Sequence, residues 1–186
     1  MAAESEILLP KNGRYAMMGA GRIGGECNDW EAITVTSDKT IIVTVDSSNL
    51  PEAARIHSVS WQESHRSFCS PDFIALHTPE HQEKYLREKM DQGSRLFMMI
   101  ADQPIGVVSV TGSLIEDLYM LPAYQHKGFG TRLLHFAMEQ CDGTPTLWIL
   151  ENNKGAEKLY RREGFRETGR KNAITDKLDE IEFSMP

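Results

Sequence analysis

The chain has 186 residues, of which 40% are hydrophobic and 25% charged, as is typical of one globular domain with a sizeable core. Its net charge of −7 argues against general binding to nucleic acid or to an anionic membrane, because both need a basic face. The three cysteines form no CxxC pair, which favours reduced thiols over disulfides or zinc. Together with an N-terminus that lacks a basic stretch and an apolar core, this predicts a cytoplasmic protein.

We interpret residues 1–38 as an N-terminal extension and residues 39–186 as a single domain. The extension is irregular and rich in glycine, with a β-prone run only near its end. Gly19 to Gly24 match the GxGxxG pattern of dinucleotide-binding proteins. That motif needs a buried strand before it and a helix after it, and the flanking residues indicate neither. An irregular segment is therefore preferred, with dinucleotide binding kept as an alternative.

The first elements of the chain are a hairpin and a group of helices. Two β-prone runs, 32–36 and 40–45, flank a short polar turn and predict the hairpin. Asn49 or Ser48 is placed to cap a helix, since a proline follows in its first turn. We expect helical regions over about 49–66 and 72–92: a first helix, a break and a short second helix within 65–73, and a third helix that starts at Thr78 and ends at Gly93.

Three apolar runs joined by short turns follow, over 96–101, 105–110 and 114–120. They must be antiparallel neighbours, because a parallel pair needs a long crossover. An amphipathic helix from about Gly128 leads to a strand over 146–150. This β-α-β crossover predicts that strands 114–120 and 146–150 are parallel.

The chain then contains a helix over 153–163 and a final pair of strands near 165–168 and 180–185. The predicted fold class is α/β, with a mixed, mostly antiparallel sheet and helices on both faces.

The loop from Gln125 to Thr131 has the make-up of an anion-binding site. It opens a helix, whose first backbone N–H groups have no intrahelical partner and whose dipole favours negative charge. Gly128 and Gly130 carry no side chain, so an anion can approach the main chain, and Lys127 adds an ammonium group. These features suit a phosphate or pyrophosphate.

Two motifs together resemble the GNAT N-acetyltransferase superfamily, in particular its bacterial members. The first is Gln125-x-x-Gly128-x-Gly130 after Leu118-Tyr119-Met120; the second is Asn153-x-x-Ala156-x-x-Leu159-Tyr160-x-x-x-Gly164-Phe165. Either motif alone is weak, but both at this separation and in this strand–helix context are specific. The resemblance covers roughly residues 40–186.

The resemblance implies the acyl-CoA N-acyltransferase fold, in which strand 114–120 splays away from strand 146–150 and acetyl-CoA inserts between them. No metal is implied. Backbone groups of the first strand would pair with the pantetheine arm, and the loop would hold the pyrophosphate. The implied cofactor-binding residues are Leu118, Tyr119, Met120, Gln125, His126, Lys127, Gly128, Phe129, Gly130, Thr131, Asn153, Ala156 and Tyr160.

Tyr160 is the candidate general acid for the leaving thiolate. This role comes from the resemblance, which places Tyr160 near the sulfur. The alternative is an aromatic residue packed on the sheet, because Tyr160 shares a helical stripe with Ala156 and Leu159.

The general base is left open between Glu116 and Asp117. Many family members carry a glutamate four residues before the position of Leu118, where this chain has Leu114. In a regular strand Glu116 shares a face with Leu118, and at most one of the two carboxylates points toward the acetyl group. We favour Glu116 as the base. A bulge in the strand would favour Asp117 instead, and the interpretation of Glu116 as a solvated surface carboxylate has equal weight.

The acceptor site is expected on the helices at 49–66 and 72–92, with Trp61, His65 and Phe68 as candidate substrate contacts. The other histidines of these helices are expected to be at the surface or satisfied, and the His77–His81 spacing lacks a third zinc ligand.

The sequence favours direct acetyl transfer to a small-molecule amine, with a protein or peptide amine as second choice. A non-catalytic acyl-CoA-binding sensor is the alternative from another class, suggested by Leu114. A homodimer is left open.

Overall fold

The computed structural model describes residues 32–35, 40–67, 69–175 and 178–186. In these ranges eight strands form one mixed sheet in the order β1-β2-β3-β4-β5-β6-β8-β7. The strands are β1 (Ala32–Val35), β2 (Ile41–Thr44), β3 (Arg95–Ile100), β4 (Pro104–Thr111), β5 (Leu114–Met120), β6 (Thr146–Leu150), β7 (Arg166–Thr175) and β8 (Leu178–Ser184). The helices are α1 (Leu50–His65), α2 (Pro71–Ala75), α3 (Pro79–Asp91), α4 (Phe129–Glu139) and α5 (Lys154–Arg162).

The strand pairing confirms the predicted fold class. β1 to β5 are antiparallel neighbours joined in chain order, apart from the helices between β2 and β3. β5 and β6 are parallel and are connected through α4, as the crossover rule requires.

Helices cover both faces of the sheet, and each face has its own hydrophobic core. α1 and α3 pack on one face through residues such as Leu50, Trp61 and Leu86. α4 and α5 pack on the other through Leu133, Leu134 and Tyr160, among others. β5 alternates between the two cores, so it lies at the centre of the molecule.

Helix α1 begins as predicted at Leu50, with a proline in its first turn, but Asn49 does not cap it through its side chain. The Asn49 side chain faces back along the chain instead. Its Oδ1 accepts a hydrogen bond from the Asp46 backbone N–H at 2.9 Å, and its Nδ2 donates to the Thr44 carbonyl at 3.0 Å. Asn49 thus fixes the connection from β2 to α1. α3 is capped conventionally, by Thr78.

The edge strand β7 is much longer than the sequence predicts. It runs from Arg166 to Thr175, far beyond the expected end at residue 168. Its residues are mostly charged or polar, as is common in an exposed edge strand, and so lack the apolar alternation that marks a buried one. Gly169, at φ +85°, lies where the pairing with β8 shifts register.

The Gly19–Gly24 motif lies outside the described residues, and the proposed boundary at residue 38 stays a prediction. β1 belongs to the segment that we assigned to the N-terminal extension, and it pairs with β2. Among the helices described, none is both long and apolar enough to cross a membrane.

Candidate functional site

The parallel strands β5 and β6 separate soon after they begin. They pair at Leu114 with Thr146 and at Ile115 with Leu147, and no further pairs follow. β5 nevertheless continues to Met120, bound to β4 on its other edge, and β6 continues to Leu150, bound to β8. The two strands therefore enclose a gap beside residues 116–120, in which an extended group can meet the free edge of β5.

A β-bulge lies where this gap opens. Glu116 pairs with Ser109 and Tyr119 pairs with Val107, so two residues of β5 stand opposite one residue of β4. One of the two is Asp117, whose φ of 51° is left-handed and therefore strained for a residue with a side chain.

The bulge overturns the expectation that Glu116 and Asp117 face opposite sides of the sheet. The carboxylates of both contact the same ammonium group, that of Lys89, at 3.1 and 2.6 Å. Leu118 belongs to the core under α4, on the other face, so Glu116 does not share a face with it. The regular alternation of a strand fails here because the extra residue rotates the chain.

A buried polar network surrounds Asp117, which is 2% exposed. Its Oδ1 accepts hydrogen bonds at 3.2 Å from both His57 Nε2 and the Tyr85 hydroxyl. Its Oδ2 accepts from Lys89 Nζ at 2.6 Å and from the Ser109 hydroxyl at 2.7 Å. These donors come from α1, α3 and β4, so the network ties three elements to the bulge of β5.

Interactions within the network keep both Asp117 and Lys89 ionised. Burial alone would raise the pKa of Asp117, but the Lys89 ammonium and the His57 contact outweigh it and hold that pKa well below its usual range. Burial would lower the pKa of Lys89, yet Asp117 and Glu116 raise it. Asp117 is thus an anion, and Lys89 a cation, across the ordinary pH range.

The loop before α4 adopts the conformation expected of an anion site. His126 and Gly128 are both left-handed, with φ of 54° and 87°. Gly128 is the N-terminal cap of α4 and contributes no side chain there, so the first N–H groups of α4 are left to an external partner. The Gln125 side-chain Nε2 is buried and has no hydrogen-bond partner among the described residues.

Helix α5 begins at the other side of the gap, directly after β6. Asn153 caps it, since its Oδ1 accepts a hydrogen bond from the Ala156 N–H at 3.1 Å. Tyr160 is fully buried against the same core as Leu118 and packs edge-to-face on Phe165 at 5.8 Å. Burial raises the pKa of Tyr160, so its hydroxyl keeps its proton at neutral pH.

The residues expected to contact the acceptor lie inside the helical layer. The indole of Trp61 is sandwiched between the imidazoles of His65 and His77, with ring centroids 3.8 and 3.4 Å away. Trp61 and His65 are both buried, so neither offers a free ring face. Phe68 lies outside the described residues. Burial lowers the pKa of His65 and of His77 to about 4.

Sequence reasoning missed the network around Asp117, although a signal was present. His57 falls on the buried stripe of α1, and Lys89 follows Leu86 and Tyr85 on the inner side of α3. Polar groups on an otherwise apolar stripe indicate a buried partner. In the parts of the chain that the structure describes, no group of three His, Cys, Asp or Glu side chains could hold a metal ion.

The splayed sheet with its anion loop defines an acyl-CoA N-acyltransferase fold. Residues 92–167 match the family model "Acetyltransferase (GNAT) domain". This part of the chain, which is less than half of it, is similar to the GNAT acetyltransferase domain. The match begins directly after α3 and includes β5, the loop, α4, β6 and α5.

Three relatives illustrate the similarity. Over 69 residues, 37% of this chain, the sequence is 32% identical to the peptidyl-lysine N-acetyltransferase YjaB of Salmonella typhimurium. That alignment spans about half, 47%, of the curated relative's length.

Among solved structures, the PaiA N-acetyltransferase of Thermoplasma acidophilum in complex with coenzyme A superposes with a TM-score of 0.60, 20% identity, and coverage of 80% of this chain and 99% of that one. Apo YjaB of Escherichia coli superposes with a TM-score of 0.57, 19% identity, and coverage of 78% and 96% respectively. At these identities the two structures support the fold.

Proposed function

We propose that this protein transfers the acetyl group of acetyl-CoA directly to a primary amine, without a covalent enzyme intermediate. The observation that carries the proposal is the early end of the β5–β6 pairing, after Ile115 and Leu147, beside a left-handed Gly128 that opens α4. An extended arm and a pyrophosphate fit this combination of strand edge and helix N-terminus. The match of residues 92–167 to the GNAT acetyltransferase domain supports it.

In this proposal the pantetheine arm pairs with the backbone of β5 and the pyrophosphate lies on the α4 loop. The donors are the N–H groups at the start of α4, assisted by Lys127 and by the buried Gln125 amide. Asn153 and Ala156 border the arm from α5. The proposed cofactor contacts are those expected from the sequence: Leu118, Tyr119, Met120, Gln125, His126, Lys127, Gly128, Phe129, Gly130, Thr131, Asn153, Ala156 and Tyr160.

Tyr160 is the proposed general acid. Burial raises the pKa of Tyr160, so its hydroxyl holds a proton at neutral pH, although the same shift makes it a weaker donor. A departing thiolate gains from protonation at neutral pH, because a thiol such as cysteine has a pKa of about 8.5. Its buried position against Phe165 also fits a purely structural aromatic residue. Tyr160→Phe separates the two roles, because it removes the hydroxyl and keeps the ring.

Neither carboxylate of the bulge is a ready general base. Asp117 is held as an anion by four donors, and its lowered pKa makes it a poor proton acceptor. Glu116 lies 3.1 Å from the Lys89 ammonium, and its Oε2 accepts a hydrogen bond from the Thr111 hydroxyl at 3.2 Å. The sequence-based choice of Glu116 remains a hypothesis, and its ion pair works against it.

For the acceptor, we propose the side-chain amine of a protein lysine. The relative identified by sequence is a peptidyl-lysine acetyltransferase, whereas the small-molecule amine that we favoured from the sequence has no support among these relatives. A cytoplasmic location is part of this proposal, since Cys69 and Cys141 are both free thiols, as in a reducing compartment.

The test is release of the coenzyme A thiol from acetyl-CoA in the presence of defined amines. Three probes cover the classes: an N-terminally blocked peptide with one lysine, a lysine-free peptide with a free N-terminus, and the polyamine spermidine. The blocked peptide with an acetylated lysine is the matched control. We expect turnover with the lysine peptide. Turnover only with spermidine would restore the small-molecule acceptor, and binding of acetyl-CoA without any turnover would favour a sensor module.

A further inference from the structure

We infer that His57 is the proton acceptor of the transfer reaction, held in place by Asp117. The inference rests on the proposed function, because it assigns the general base that acetyl transfer requires. It begins from a pair of groups, an imidazole and a carboxylate, that the sequence separates by 60 residues and the fold brings to 3.2 Å.

The contact between the two side chains fixes the tautomer of His57. The ionised Asp117 carboxylate can only accept hydrogen bonds, so the Nε2 atom that faces its Oδ1 must carry the hydrogen. Nδ1 then holds the lone pair. This Nδ1 is buried and has no hydrogen-bond partner among the described residues, although buried ring nitrogens are normally paired. A carboxylate that orients an imidazole whose other nitrogen is vacant is the arrangement of a general base.

The position of His57 suits this role. Its ring lies edge-on to Tyr119, with centroids 4.6 Å apart, and contacts Asp117, so it packs on residues of β5 that lie beside the β5–β6 gap. His57 is 2% exposed. In the proposed reaction the amine gives its proton to His57 Nδ1 directly or through one water molecule.

The carboxylates nearest to His57 both contact the Lys89 ammonium, Glu116 at 3.1 Å and Asp117 at 2.6 Å. The titratable groups that face or influence His57 are Glu116, Asp117 and Tyr119 on β5, Tyr85 and Lys89 on α3, His65 on α1, and His77.

The amine nitrogen forms a bond to the acetyl carbon, the carbon–sulfur bond breaks, and the amine proton passes to His57 Nδ1. The sulfur takes a proton from the Tyr160 hydroxyl. The imidazolium then releases its proton to solvent, and the Tyr160 phenolate regains one, so the products are an amide and the coenzyme A thiol.

The first test is the pH dependence of turnover in His57→Gln, with acetyl-CoA and the lysine peptide. The glutamine amide can still donate to Asp117 but cannot take up a proton. We expect kcat to fall about 10²-fold or more at pH 7.5 and its pH profile to lose the limb that rises with pH. The dissociation constant of acetyl-CoA should stay within about twofold.

The exposed His81→Gln is the matched control and should leave the whole profile unchanged. If His57→Gln keeps the rising limb and the rate, the inference is wrong. If Glu116→Gln alone removes the limb, the base is Glu116. A purely structural role for His57 would lower the yield of folded protein without changing the shape of the profile.

The second test does not depend on turnover. Nitrogen-15 NMR of labelled histidine at pH 8 should show His57 with a protonated Nε2 and an unprotonated Nδ1. A doubly protonated ring, or a hydrogen on Nδ1, would overturn the inference even for an active enzyme. Absence of turnover in the wild-type protein, by contrast, would contradict the proposed function.

Discussion

The two faces of β5 are built in different ways. On the face toward α4 and α5, and in the gap beside it, the site consists of consecutive residues: one loop, Gln125 to Thr131, and one helix start at Asn153. On the face toward α1 and α3, a polar network is assembled from His57, Lys89 and two strands around Asp117. The first region is local in sequence and matches the family model; His57 and Lys89 lie outside that match.

The difference suggests a division of labour. In the proposed function, backbone groups hold acetyl-CoA, and backbone recognition needs only glycines and a helix start. Proton transfer needs side chains: the proposed acid, Tyr160, lies within the family match, whereas His57 comes from a helix that the family model does not cover. Substitutions on the two faces should separate the roles of the two regions.

Removal of the central carboxylate should have the largest effect on stability. Asp117→Ala leaves a buried Lys89 and several buried donors without an acceptor, so we expect a loss of roughly 3–5 kcal/mol in the free energy of unfolding. Urea denaturation followed by circular dichroism measures it. Asp142→Ala, at a largely exposed aspartate, is the control and should change stability by less than about 0.5 kcal/mol. A similar small effect for Asp117→Ala would mean that the network does not hold the bulge.

On the other face, Tyr160→Phe should affect turnover far more than stability. The ring keeps its packing on Phe165, so the fold should lose no more than about 1 kcal/mol. Loss of the proton donor should lower kcat about 10²-fold or more, with the dissociation constant of acetyl-CoA little changed. Steady-state kinetics and calorimetric titration of the same sample measure both. Unchanged turnover would assign Tyr160 to the core alone.

Acid should weaken the α1–α3 side first. His65 has a folded-state pKa of about 4, below the ordinary value of 6.5, so the unfolded chain binds more protons between these values. Stability is then fully present above about pH 6.5 and falls as the pH is lowered toward 4, by at most about 1.4 kcal/mol per pH unit for this histidine. His77 acts in the same direction.

Urea midpoints measured from pH 7.5 to 4.5 give the slope of this acid effect. His65→Phe retains an aromatic ring against Trp61 and should make the slope shallower. If the substitution leaves the slope unchanged, groups other than His65 cause the loss of stability in acid.

Two glycines offer the most selective comparison. Gly128→Ala and Gly112→Ala both introduce a side chain at positive φ, 87° and 59°, with no atom within 4 Å of the added carbon. Each should cost about 1–2 kcal/mol of stability through backbone strain alone. Only Gly128→Ala should weaken acetyl-CoA binding, because Gly112 lies in the β4–β5 turn. Equal effects on binding would mean that the α4 loop does not hold the pyrophosphate.

Much of the fold was predictable because its signals are local. The hairpins around β3 to β5, the crossover through α4 and the capped helix α3 follow from turn residues and apolar runs of the sequence. The position of the loop before α4 was predictable for the same reason. β7 was not, because its polar residues carry no apolar period and its bulge at Gly169 interrupts the pattern.

The bulge in β5 shows why the polar network around Asp117 was harder to predict. A strand with an extra residue looks regular in sequence. The side of the sheet on which Glu116 and Asp117 lie therefore depends on a register that only the pairing with β4 reveals. The partners of Asp117 come from positions 8 to 60 residues away. The sequence indicates that His57 and Lys89 lie on apolar helix faces. No spacing rule predicts that both contact the Asp117 carboxylate.

The most direct test of the central claim is amide hydrogen exchange with and without acetyl-CoA. If the gap and the loop hold the cofactor, acetyl-CoA should slow exchange at the free edge of β5, residues 118–120, and in the first turn of α4, residues 128–131, in the same titration. The turn at Gly112, outside the site, should not change. Protection at neither segment, or at the α4 loop without β5, would contradict the account, because the arm would then not lie between the two strands.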